Sequence, residues 1–149
     1  YERQQKANEL RTLLEKELAK AHIEAKFTWD IGATENEMQE ALLLIRQAQW
    51  RWDFGVSSHG GSFHAPQETM RILGHGLNKV FQARMLISKV LVAHGYTDNV
   101  PLPDITTKEK AQQYIGLDMA VEKADKDKFL KEIVPEWLQK AKANGRIVN

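Results

Sequence analysis

A glycine-broken segment at residues 57–66 separates two long stretches whose apolar residues recur with helical spacing. Its sequence is SSHGGSFHAP, with adjacent glycines at positions 60 and 61 and histidines at positions 59 and 64. Adjacent glycines favour a chain reversal or the close approach of another group to the backbone. A reversal between helices does not need two nearby histidines. The segment, called the elbow below, therefore predicts a turn that also aims a histidine side chain or admits a ligand.

The remaining sequence predicts an all-α protein without a sheet, with its helices in a bundle-like arrangement. Long helices are predicted at residues 2–29, 35–54, 66–94 and 118–144. Capping boxes of Thr34 with Glu37 and of Thr106 with Glu109 are expected to start the second helix and a short helix that ends near residue 116. Pro135 is expected to kink or divide the last helix. The chain is predicted to form a single helical domain over residues 1–149.

Apolar spacing also predicts which residues face the core. These are Leu10, Leu14, Leu18, Ala21 and Ala25 in the first helix; Met38, Leu42, Ile45, Gln49 and Trp52 in the second; Leu73, Leu77, Val80, Arg84, Ile87 and Leu91 in the third; and Phe129, Ile133, Trp137, Leu138 and Ala141 in the last. The third set has heptad-like spacing, suited to near-parallel helix packing. It predicts self-association of the chain through Leu77, Val80 and Ile87.

Two pairs of residues in the long helices, Trp50 with Trp52 and Gly74 with Gly76, indicate contact with a ligand, a partner or another helix. Trp50 and Trp52 cannot point the same way on a helix, so one is expected in the core and the other against a partner surface or a flat ligand. Gly74 and Gly76 each cost about 1 kcal/mol of helix stability relative to alanine. Their presence indicates close approach of another helix or of a cofactor.

Composition excludes several classes of function. The net charge is +1, which gives no general attraction to nucleic acid. No apolar run is long enough to span a membrane. The absence of cysteine excludes disulfides, thiolate metal sites and thiol catalysis within this chain.

The histidines leave three kinds of chemistry open. A zinc site of His59, His64 and His75 is conceivable, although no carboxylate stands at a standard ligand spacing. Ser57 or Ser58 with a histidine could act as a nucleophile, but the surrounding sequence lacks a nucleophile elbow and an acidic partner. A neutral imidazole on a glycine-rich elbow is also well suited to be an axial haem ligand. His22 and His94 are expected to serve packing and helix capping.

Six motifs in one order resemble the C-terminal region of the ammonia-forming pentahaem cytochrome c nitrite reductases. They are AHIEAK at 21–26, QWRWD at 49–53, SHG at 58–60, HAP at 64–66, RILG at 71–74 and TKEKAQ at 107–112. The resemblance covers nearly the whole chain. It implies a C-terminal fragment of a larger periplasmic multihaem enzyme that reduces nitrite to ammonia with six electrons.

The resemblance also implies site residues and partners. The histidine of the HAP motif, His64, would be the distal axial ligand of an electron-transfer haem c, whose attachment cysteines lie in the preceding haem-bearing part of the enzyme. No catalytic residue and no ligand of the parent's calcium matches a position here. The long helices would form a homodimer, and a redox electron donor would supply the enzyme. His22, His59 and His75 receive no family role. The rival interpretation is a stand-alone helical interaction module without catalytic activity.

Overall fold

Helices alone make up the regular structure of residues 2–58 and 60–147, the part of the chain that the computed structural model describes. They are α1 (Glu2–Asp30), α2 (Glu35–Ser57), α3 (Gly61–His64), α4 (Pro66–Ala93), α5 (Lys108–Tyr114), α6 (Met119–Lys128) and α7 (Val134–Ala143), with a π-helical turn at Phe129–Ile133. The all-α prediction is confirmed. The chain forms two compact units, Tyr1–Leu102 and Pro103–Asn149. That residues 1–149 act as one domain stays a prediction.

In the first unit, α4 packs along both α1 and α2. The predicted apolar rows of α1 and α4 are confirmed, since their members are buried except for the partly exposed Leu10 and Arg84. The row predicted for α2 is only partly right. Met38 and Ile45 are buried, whereas Ala41, Leu44 and Ala48 are buried in place of the other predicted positions. Because α2 contacts two helices, its buried face is wider than one row.

The predicted capping box at the start of α2 is confirmed. The Thr34 hydroxyl accepts from the amide of Glu37, and the Glu37 carboxylate accepts from the Thr34 amide at 2.7 Å. The second oxygen of the same carboxylate lies 3.2 Å from Nε2 of His94, at the C-terminal end of α4. Hydrogen bonds from Thr34, and then from His94, hold the pKa of Glu37 below its ordinary value. This contact ties the first turn of α2 to the last turn of α4.

The two glycines of α4 serve different purposes. A Cβ at Gly76 would lie 2.6 Å from Cδ2 of Leu14 in α1 and 3.3 Å from Cβ of Arg51 in α2. Gly76 therefore permits the close approach of α4 to both neighbours. A Cβ at Gly74 would meet nothing within 4 Å among the described residues, so its side of α4 is open.

The prediction of self-association through Leu77, Val80 and Ile87 is wrong. Val80 and Ile87 are fully buried and Leu77 is nearly so. All three belong to the core that α4 shares with α1 and α2. Heptad-like spacing marks a helix-packing face, but it does not say whether the partner helix belongs to the same chain. Here the partners are α1 and α2.

A charged cluster crosses the interface between α1 and α4. Arg84 donates two parallel hydrogen bonds to the Glu24 carboxylate, at 2.8 and 2.6 Å, and a third to Glu17. Lys20 donates to the other oxygen of Glu17 at 2.6 Å. Glu17 is only 6% exposed, so its charge needs these partners. Hydrogen bonding to Glu24 raises the pKa of Arg84 above its ordinary value. Arg84 thus occupies its position in the predicted row of α4 by pairing with carboxylates of α1, whereas the other members of the row are apolar.

The second unit departs from one prediction about its helices and confirms another. The N-cap of α5 is Thr107 instead of Thr106, because Thr106 hydrogen-bonds with its amide and hydroxyl to Asp104. The last predicted helix is divided, as Pro135 suggested. The amide of Val134 reaches the carbonyl of Phe129 five residues back, which gives a π-helical turn just before the proline.

The inward face predicted for the last helix is also wrong. Phe129, Trp137 and Leu138 are exposed, and α5, α6 and α7 contain no buried residue. Phe129 and Trp137 pack edge-to-face with ring centroids 5.4 Å apart. The periodicity predicts a helix face, but the described residues of the second unit do not bury it. Exposed apolar surface of this kind is typical of an interaction surface.

Candidate functional site

The elbow contains the short helix α3, which lies between the long helices α2 and α4. The helix α2 ends where the amide of Ser58 bonds to the carbonyl of Phe54 at 3.0 Å. Gly60 then adopts a left-handed conformation, with φ of +81°, and caps α3. Its carbonyl accepts from the amides of Phe63 and His64 at 2.9 and 2.8 Å. Pro66 occupies the first turn of α4, as predicted, where its missing amide is not needed.

The two adjacent glycines of the elbow are required for separate reasons. Gly60 needs a positive φ, which costs a residue with a side chain about 1 kcal/mol or more. Gly61 needs space, since a Cβ there would lie 3.2 Å from Cβ of Ser58 and 3.3 Å from the hydroxyl of Thr69. Thr69 is buried and bonds back to the carbonyl of Ala65 at 3.1 Å. The start of α4 is thereby packed onto the elbow.

His64, the predicted site residue, is the last residue of α3 and is exposed. Its ring meets the Phe63 ring edge-on, with centroids 5.0 Å apart and planes at 87°. Among the described residues, the structure shows no hydrogen bond to a ring nitrogen of His64. The residues Phe63, His64 and Pro66 line an open groove of about 480 Å³, together with the first turn of α1. An imidazole in this position has a lone pair to offer and solvent space in front of it.

The prediction about the paired tryptophans is confirmed in its geometric part. Trp52 packs against the core, whereas Trp50 is 75% exposed. The indole Nε1 of Trp52 is buried and has no hydrogen-bond partner in the part of the chain that the structure describes. Phe54, one turn beyond Trp50, is also exposed. The end of α2 therefore presents aromatic surface next to the elbow.

The other histidines that the structure describes do not assemble into a metal site. Within residues 2–58 and 60–147, no three His, Asp or Glu side chains come close enough to hold a metal ion. His59, one member of the conceivable zinc site, lies outside the described residues. His22 and His75 are exposed, and His94 contacts Glu37. His64 is the one histidine that the described elbow aims into a groove.

Comparison with known proteins identifies the family of this chain. A family model described as cytochrome c552 matches residues 1–145 of this chain. The chain belongs to the cytochrome c552 family. Among its relatives, the cytochrome c-552 of Bacteroides fragilis ATCC 25285 is 74% identical over 147 residues, which are 99% of this chain and 30% of that protein.

Two further relatives show the same partial coverage. The cytochromes c-552 of Bacteroides thetaiotaomicron VPI-5482 and Porphyromonas gingivalis W83 are 71% and 63% identical, again over 99% of this chain and 30% of each relative. The chain thus spans about 30% of the length of the relatives that it matches. No helix among the described residues of this cytochrome c552 family member is both long and apolar enough to cross a membrane.

The residues of this chain fit one part of a c-type haem site and not another. Cytochromes c attach haem through Cys-x-x-Cys-His motifs, and this chain has no cysteine. A haem attached in this way would need cysteines that this chain does not contain. Axial ligation by histidine, by contrast, needs an accessible imidazole with a free lone pair and space for the flat haem macrocycle in front of it. The exposed His64 ring, flanked by a glycine and an aromatic edge, meets these requirements.

Sequence reasoning missed the cluster of Glu17, Glu24 and Arg84. The sequence contains an indication of this cluster. Arg84 interrupts the apolar row of α4, and Glu17 and Glu24, seven residues apart, share a face of α1. Only the packing shows that these groups meet. The cluster is remote in sequence from the elbow, and it fixes the pairing of the helices that carry it.

Proposed function

We propose that this chain is the helical C-terminal part of a periplasmic cytochrome c nitrite reductase that reduces nitrite to ammonia with six electrons. Membership of the cytochrome c552 family over residues 1–145 supports this proposal. So does the greater length of the relatives, of which the chain covers 30%. In this proposal the chain provides neither the catalytic residues nor the calcium ligands of the enzyme. Both belong to the haem-bearing part.

His64 is proposed as the distal axial ligand of one electron-transfer haem c. The observation that carries this role is an exposed imidazole, without a hydrogen bond to its ring nitrogens among the described residues, at the edge of an open groove. When bound, a haem with two histidine ligands supplies electron transfer and has no open position for nitrite. His64 contributes one ligand nitrogen, and the elbow holds its backbone by the bond from the His64 amide to Gly60.

The exposed apolar surfaces near the elbow and in the second unit are proposed to contact the haem-bearing part of the enzyme. Trp50, Phe54 and Phe63 are exposed at the elbow, as are Trp137 and Leu138 in the second unit. The haem-bearing part of the same enzyme is expected to cover them. A redox donor outside this chain would supply the electrons.

Replacing His64 by alanine in the full-length protein tests the ligand role. We expect the loss or change of one low-spin bis-histidine haem signal and slower electron delivery to nitrite, because one iron loses its sixth ligand. Absorption, electron paramagnetic resonance (EPR) and potentiometric titration measure these effects. His75→Ala is the matched control, since His75 is another exposed histidine and lies on α4.

Unchanged haem spectra and potentials in His64→Ala would remove His64 from the ligand role. If the full-length protein carried no haem at all, the stand-alone interaction module would be favoured instead. A spectral change in His75→Ala as large as that in His64→Ala would show that the signal reports general disturbance of the helices.

For the homodimer, we propose the outer face of α4 as the contact surface. Its residues follow steps of four, three, four, three and four along an exposed flank of the helix. They are Gly74, Asn78, Phe81, Met85, Ser88 and Val92. Phe81, Met85 and Val92 are exposed apolar side chains, and the space around Gly74 is open. This row has the heptad spacing that was predicted for the dimer, displaced to a face that α1 and α2 leave free.

The row is self-complementary when two copies of α4 pack antiparallel about residue 83. Positions equidistant from that residue then face each other. Phe81 meets Met85, which is a favourable aromatic–sulfur pair. Asn78 meets Ser88 and can hydrogen-bond to it, and Val92 meets the open space at Gly74. A two-fold interface requires this reciprocity.

Cysteine crosslinking tests both the dimer and its direction. The chain has no cysteine, so introduced thiols are the only ones in it. We expect an oxidised mixture of Asn78→Cys and Ser88→Cys chains to form the mixed disulfide in preference to either same-residue dimer. A parallel pair would instead join Asn78→Cys to itself. Equal crosslinking of all combinations, or a monomer in sedimentation at high concentration, would contradict the proposed surface.

A further inference from the structure

Gly60 lies directly against the imidazole of His64. An ideal Cβ at Gly60 would be 3.1 Å from Cδ2 of His64 and 3.6 Å from Nε2. The amide of His64 also bonds to the Gly60 carbonyl at 2.8 Å. The His64 side chain therefore folds back over the glycine backbone, and any side chain at position 60 would have to displace the ring by a few tenths of an ångström.

Phe63 limits the same ring from another direction. The two ring planes are nearly perpendicular, at 87°, with centroids 5.0 Å apart. An edge-to-face pair of aromatic rings at this distance is attractive and depends on orientation. Phe63 is itself 67% exposed, so burial in this chain does not explain its position. Gly60 thus leaves space for the His64 ring, and Phe63 favours a particular tilt of that ring.

We propose that Gly60 and Phe63 are positioning residues that fix the plane of the His64 imidazole for its iron. This inference rests on the proposed ligand role of His64. Gly60 leaves the ring room to lie against the backbone, and Phe63 holds its tilt through the edge contact. Groups beside a metal ligand commonly set its orientation and so tune the metal. The angle between the planes of two axial imidazoles governs the g anisotropy of a low-spin ferric haem and contributes to its potential.

Substitution at both positions in the haem-loaded full-length protein tests the inference. In Gly60→Ala and in Phe63→Leu we expect the haem ligated by His64 to stay low-spin, with a shifted largest g value and a shifted midpoint potential. Phe63→Tyr keeps the aromatic edge and is expected to retain the parent spectrum. Potentiometric titration followed by EPR measures both quantities for each variant.

Gly95→Ala is the matched control for backbone strain. Gly95 has φ of +80°, almost identical to that of Gly60, but a Cβ there would meet nothing within 4 Å among the described residues. A strain effect alone would be similar in both alanine variants. A shift in g value and potential caused by displacement of the His64 ring is expected in Gly60→Ala only.

The outcomes separate this inference from the proposed function. If His64→Ala abolishes the bis-histidine signal while Gly60→Ala and Phe63→Leu leave g values and potential unchanged, the positioning role is wrong and the ligand role stands. Equal spectral shifts in Gly60→Ala and Gly95→Ala would also overturn it. If His64→Ala changes nothing, both fail together. Should Gly60→Ala not load haem, the comparison of Phe63→Leu with Phe63→Tyr decides alone.

Discussion

Replacing Arg84 by methionine is expected to lower the free energy of unfolding by about 3–5 kcal/mol. Methionine fills a similar volume but leaves two carboxylates, Glu17 and Glu24, without the guanidinium that neutralises them. Glu17 is buried, so water cannot replace the lost partner, and only Lys20 remains beside it. Urea denaturation of the chain followed by circular dichroism measures the loss.

The chain contains a matched control for this substitution on the same helix. Arg71 donates two hydrogen bonds to Glu68, at 2.8 and 2.6 Å, but both side chains are more than half exposed. Arg71→Met is therefore expected to leave the free energy of unfolding nearly unchanged, because solvent screens an exposed pair. Equal losses for the two variants would mean that burial does not govern the contribution of Arg84.

A second test of the Arg84 cluster removes all of its central charges. A variant with Arg84→Met, Glu17→Leu and Glu24→Leu has no carboxylate left to desolvate. It is expected to recover much of the stability lost in Arg84→Met, since apolar replacement of a whole buried ion cluster is often neutral. A triple variant less stable than Arg84→Met would show that the cluster itself is strongly stabilising.

Replacing Gly76 by isoleucine is expected to destabilise the chain by about 3 kcal/mol, at the upper end of overpacking costs. The first added carbon would already lie 2.6 Å from Cδ2 of Leu14, and Leu14 is fully buried. Arg51 closes the other side at 3.3 Å. The helices α1 and α2 would have to move away from α4, so contacts would be lost along the core.

Gly74→Ala is the control, with an expected effect of the opposite sign. A Cβ there would meet no described atom within 4 Å, so alanine should stabilise α4 by about 0.5–1 kcal/mol through helix propensity. Denaturation of both variants at low protein concentration avoids any contribution from self-association. If Gly76→Ile were as stable as the parent, the close approach of the three helices would be wrong.

Local patterns in the sequence were sufficient to place the long helices of this chain. Steps of three and four, the capping box at Thr34 and the proline at position 66 gave α1, α2 and α4 to within three residues at each end. Pro135 correctly indicated a divided last helix. These signals are local, because they depend on spacing and hydrogen bonds within about one helical turn.

The sequence indicated which residues form the elbow but not how they pack against one another. The resemblance of the HAP motif singled out His64, and the sequence showed that the elbow was rich in glycine. It did not show that Gly60 contacts the imidazole while Gly61 packs against Ser58 and Thr69. Thr69 lies five residues beyond His64 on another helix, and its contact with Gly61 depends on how α4 returns after the elbow.

The sequence by itself determined where this chain is helical, where it bends and which faces of its helices are apolar. The tertiary structure decided which apolar face is covered within the chain and which stays exposed. The row containing Val80 became core, whereas the row containing Phe81 and the face containing Trp137 stayed exposed. Periodicity is a property of one helix, but burial depends on pairs of helices distant in sequence. The same reason explains why the partners of Arg84, 60 and 67 residues away, were found only in the fold.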